Sequence, residues 1–94
     1  MALYLISYDI NEKNRDEYEA LWDELKSLKA TKILFSEWVV VASAGSAGTL
    51  YNALTIYINP NDRLLVQEVL GDAYWDKLLI SDDAFRRLLQ NARR

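Results

Sequence analysis

The 94-residue chain contains no cysteine and no histidine. The first absence removes disulfides, thiol nucleophiles and thiolate zinc sites. The second removes imidazole as base or ligand, and with it any Ser-His-Asp triad. Glycine and proline are scarce, at three and one residues. No phosphate-cradling glycine loop can be drawn, because the one candidate run, Gly45-Ser46-Ala47-Gly48, lacks both the pattern and its lysine. No apolar run approaches the about 20 residues of a membrane-spanning helix. The first residues carry no basic-then-apolar leader pattern either, so the expectation is a cytoplasmic protein with no membrane partner. Chemistry is left to carboxylates, hydroxyls, Lys and Arg, tyrosines, or a hard metal ion held by oxygen.

What is present supports a packed core. Hydrophobic residues make up 51% of the chain, too many for a disordered one, and the length suits a single domain over residues 1–94. The net charge of −3 and a pI near 4.8 argue against tight nonspecific binding to nucleic acid, where basic residues supply most of the affinity. Arg86, Arg87, Arg93 and Arg94 crowd the end of the chain and read most simply as a solvated helix terminus.

Periodicity divides the chain into alternating strands and helices. Residues 2–10 (ALYLISYDI) predict a strand apolar on both faces, with Leu3, Leu5, Ser7 and Asp9 on one side and Tyr4, Ile6, Tyr8 and Ile10 on the other. Tyr18, Leu21, Trp22, Leu25 and Leu28 form one apolar stripe and predict a helix over 15–29, with Asn14 and Glu17 as a capping-box start. Residues 31–43 read as two strands, 32–35 and 37–42, broken near Ser36. A second helix is predicted over 47–58, stopped by Pro60, and a last strand over 62–70. Residues 81–92 predict a further helix, with Ser81 as N-cap and Ile80 and Phe85 as a hydrophobic staple.

The order β-α-β-β-α-β predicts an α+β, ferredoxin-like sandwich with an extra C-terminal helix. Its two main helices cover one face of the sheet. The other face, equally apolar on the first strand, then calls for burial, and a homodimer packed sheet against sheet is the expected solution. Tyr4 and Tyr8 also suggest a base-stacking platform if that face stays open. Trp22 and Trp75 read as core or interface residues.

Asp9 is the leading candidate for chemistry, because a carboxylate ending a central apolar strand is seldom there for solubility. It could cap the turn through the Asn11 and Glu12 amides, or ligate Mg²⁺ together with waters and phosphate oxygens. Tyr8-Asp9-Ile10 at the end of a first strand, Phe35-Ser36-Glu37-Trp38-Val39, and Asp62-Arg63-Leu64-Leu65-Val66 resemble the small CRISPR-associated adaptation protein of the endoribonuclease-like type. The likeness is closest to its SinR-family relatives, which share a start similar to YLISYD and a segment similar to residues 62–72.

That resemblance implies a ferredoxin-like homodimer in which Asp9 lies near its symmetry mate. Where such proteins are nucleases, the two aspartates hold a divalent metal, here Mg²⁺ or Mn²⁺, to cleave RNA or DNA. By the same carry-over Ser36 is a second polar residue beside the catalytic Asp9, and an integrase of an adaptation complex is a possible partner. Asn11, Glu12 and Glu37 stand where such nucleases are basic. A non-catalytic dimeric adaptor or toxin-antitoxin-like module, with Asp9 structural, is therefore the alternative. A small-molecule monooxygenase or ligand-binding dimer is a third possibility from the apolar composition.

Overall fold

A computed structural model describes residues 1–10 and 18–93. Among these residues four strands and three helices follow in the order β1 (Ala2–Asp9), α1 (Glu19–Ser27), β2 (Thr31–Leu34), β3 (Glu37–Ala42), α2 (Ala47–Thr55), β4 (Arg63–Glu68) and α3 (Asp82–Ala92). The strands form one antiparallel sheet in the order β2-β3-β1-β4. This α+β arrangement is compatible with a ferredoxin-like fold. The proposed cap at Asn14 and Glu17 lies outside the described residues.

The first strand is central, as its two apolar faces predicted. Its even positions Tyr4, Ile6 and Tyr8 are buried under α1 and α2 with Leu21, Leu25, Leu50 and Leu54. Each buried tyrosine needs a partner for its hydroxyl, and each has one. Tyr4 Oη donates to the Ser43 carbonyl at 2.9 Å and accepts from the Ser46 N–H at 3.0 Å, tying β1 to the loop before α2. Tyr18 Oη donates to Asp62 Oδ2 at 2.7 Å, fixing the start of α1 to the entry of β4. The tyrosines of β1 therefore lie beneath the helices and form no exposed stacking platform.

The opposite face corrects the expectation that a second copy must cover it. Leu3, Ile33 and Val39 form a second core with Phe85, joined by Trp75, Leu78, Ile80, Leu88 and Leu89. The chain folds its own C-terminal segment across that side. Ser81 Oγ accepts from the Ala84 N–H at 3.1 Å, the expected N-cap, and both staple residues enter the core. The aromatic stretch before α3 is irregular and acts as a strap. Trp75 meets Phe85 edge-on with ring centroids 4.8 Å apart and donates its Nε1–H to Asp82 Oδ1 at 3.0 Å. The Leu79 N–H bonds the Ile33 carbonyl at 2.9 Å, so the strap also runs along the β2 edge.

Coverage by α3 is partial. It packs on β1 and β3, and on the same side of β4 Leu65 is 51% exposed. Along that strand, the Val69 N–H bonds the Leu3 carbonyl. The alternation of an antiparallel ladder then turns the backbone groups of Leu64, Val66 and Glu68 away from β1. The β4 edge is unpaired among the described residues.

Candidate functional site

Asp9 ends β1 and sits directly across from Arg63, the first residue of β4. Odd positions of β1 point away from α1 and α2, so this pair lies on the α3 side, beyond the reach of α3 itself. The Arg63 Nη1–H donates to Asp9 Oδ2 at 2.9 Å, with the two side chains 83% and 69% exposed. Opposite charges across neighbouring strands attract, and the strand register makes these two meet. A shallow depression of about 170 Å³ lies here, lined by Ser7, Tyr8, Asp9, Arg63, Leu64 and Leu65.

Ser36 belongs to the two-residue turn joining β2 and β3. Its carbonyl accepts the Tyr8 N–H at 3.1 Å, which brings the turn to the same end of the sheet as Asp9. The two expected site residues are therefore neighbours through the backbone of Tyr8. Glu37 pairs with Ser7 and adds a second acid to that face. Phe35, 83% exposed, caps the turn.

Among the described residues, no three acidic groups converge as a metal-binding cluster. Among the described residues, Asp9 is engaged by a guanidinium, and Glu37 on the same face does not complete a metal-binding group with it. The residues of a single described chain do not by themselves fit the ion.

A second cluster, on the helix side, was not legible from spacing. Tyr8 Oη accepts two indole hydrogen bonds, from Trp22 Nε1 and Trp38 Nε1, each at 3.1 Å. A groove of about 210 Å³ opens beside these indoles, bordered by Trp22, Lys26, Lys32 and Trp38. Trp22 and Lys26 are four apart on α1 and so share a face. Lys32 and Trp38 are cross-strand partners in the β2–β3 hairpin. Only the docking of helix on hairpin joins the two pairs. For Asp9, the missed partner was Arg63; a register placing the end of β1 against the start of β4 is the signal that finds it.

A scan against protein-family models finds no match for this chain. Among the described residues, no helix is long and apolar enough to cross a membrane.

Proposed function

We propose that the chain is a ferredoxin-like homodimeric module of the CRISPR-adaptation type, acting as a non-catalytic adaptor in which Asp9 is structural. The observation that carries this reading is the Asp9–Arg63 ion pair. A carboxylate that accepts a guanidinium hydrogen bond must give up that contact before it can take a hard cation, and here the contact spans the ends of β1 and β4. The likeness of residues 4–10, 35–39 and 62–72 to the adaptation protein supports the fold and the dimer. The free β4 edge beside the pair supplies a surface for the second copy, since an unpaired strand readily adds another. With α3 covering much of the sheet, the seam lies along β4 and the uncovered Leu65.

A second reading, a Mg²⁺- or Mn²⁺-dependent nuclease of RNA or DNA, keeps one observation in its favour. Asp9 remains largely exposed despite its partner, at the same end of the sheet as Ser36, and is accessible to a symmetry-related copy. A metal held between two such carboxylates would activate water and neutralise the scissile phosphate. One experiment separates the readings. Wild type and Asp9→Ala are sedimented, then assayed on short RNA and duplex DNA with and without Mn²⁺ and Mg²⁺. The adaptor reading expects a dimer for both proteins and no metal-dependent cleavage by either. Cleavage by wild type that needs metal and vanishes in Asp9→Ala overturns it.

A further inference from the structure

The groove between α1 and the β2–β3 hairpin has a composition unlike the rest of this acidic molecule. Two indoles and two ammonium groups border it. Neither Lys26 nor Lys32 takes part in the ion pairs seen between described residues, such as Asp9–Arg63 and Asp83–Arg86. Two lysines without an ion-pair partner place two positive charges at the groove, although α1 also carries Glu19, Asp23 and Glu24. The chemistry of the indoles is specific too. Both N–H groups are spent on Tyr8 Oη, and Trp38 is only 5% exposed, so the ring surface open to a ligand is that of the half-buried Trp22, without a donor. Those hydrogen bonds also hold the rings in place, so a ligand meets preorganised walls.

From this arrangement we infer that the groove binds a planar ring carrying a phosphate, the chemistry of a nucleotide unit, by stacking against the Trp22 indole and pairing with Lys26 and Lys32. Its size admits one ring: at about 210 Å³ it falls below the roughly 300–1,000 Å³ of sites that engulf a drug-sized ligand. With the indole donors consumed, little remains to read a base edge, so recognition follows ring and charge rather than sequence, as in proteins that stack single strands. The site is on the helix side of the sheet, opposite the Asp9–Arg63 pair, and requires neither dimerisation nor metal. It therefore goes beyond the adaptor reading and can fail without it.

The same chemistry reaches the groove from a free nucleotide or from a nucleotide within a single strand. Calorimetric titration of the full chain with adenosine 5′-monophosphate, an oligo(A) RNA octamer, adenosine and inorganic phosphate distinguishes them. Saturable binding of the monophosphate or the octamer is expected, with adenosine and phosphate each weaker. Tighter binding of the octamer assigns the site to a single strand, and tighter binding of the monophosphate to a free nucleotide. Lys26→Gln combined with Lys32→Gln should weaken binding about tenfold, the loss typical of charge-assisted hydrogen bonds. For the octamer it should also flatten the dependence of log K on log salt by about 1 for each phosphate deprived of its lysine. Both substitutions alter groove-lining lysines outside the buried core, and an unchanged thermal melt verifies the fold. Absence of saturable binding by both phosphorylated probes, or equal binding by the double variant, overturns the inference.

Discussion

At the scale of single residues, the molecule places polar atoms where the backbone or a partner demands them. The end of α1 is the clearest case. Leu28 is its C-cap, the Ala30 N–H reaches back to the Leu25 carbonyl and the Lys29 N–H to that of Lys26, each at 3.0 Å. This is a Schellman closure, and it forces Lys29 to a φ of 66°, a conformation that favours glycine. Lys29→Gly should therefore stabilise the protein by about 1 kcal/mol, read as a higher urea midpoint with unchanged slope; a lower midpoint would contradict the closure. The Asp9–Arg63 pair is the opposite kind of interaction. Both groups are so exposed that water screens them, and its worth to stability is at the low end of about 0–1 kcal/mol. Its importance is that it occupies the carboxylate.

At the scale of elements, helices depend on what holds their ends and on the surface they bury. α3 is strongly two-sided, with Phe85, Leu88 and Leu89 turned to the sheet and Asp83, Arg86 and Arg87 to solvent. Its start rests on one side-chain hydrogen bond, from the Ala84 N–H to Ser81 Oγ. Ser81→Ala should cost about 1 kcal/mol, which for a domain of this size lowers the melting midpoint by about 4–8 °C. Calorimetry measures this directly, and no shift would mean that packing alone positions the helix. The strap before it gains from Trp75, which touches Phe85, bonds Asp82 and lies 5.7 Å from the Arg86 guanidinium carbon. One aromatic side chain thus organises a segment with no regular secondary structure.

At the scale of the whole molecule, the sheet is the organising feature because both of its faces carry cores. The helix side is filled by α1 and α2, and much of the other by α3 and the strap. Among the described residues, a strip along β4 remains open, with its outward backbone groups and Leu65. If a second copy docks there, as proposed, Leu65→Lys should convert the dimer into a monomer in sedimentation, since it buries an unpaired charge in the seam. The substitution replaces an exposed side chain, so folding should persist. A dimer unaffected by it would move the interface elsewhere.

The sequence by itself determined the α+β class, the central place of β1, the break near Ser36 and the capped start of α3. These follow from local periodicity and end chemistry, which act within a few residues. The fate of the second sheet face was decided only by tertiary structure. Whether a neighbouring chain or the chain's own tail covers an apolar surface depends on where a distant helix lands, and the hydrophobic effect has no direction. The same holds for the candidate sites. Asp9 and Ser36 were visible as residues, but Arg63 joins Asp9 through a register across 54 positions. The Trp22–Lys26 pair likewise meets Lys32 and Trp38 only because α1 settles on the β2–β3 hairpin, bringing four unremarkable side chains to one groove.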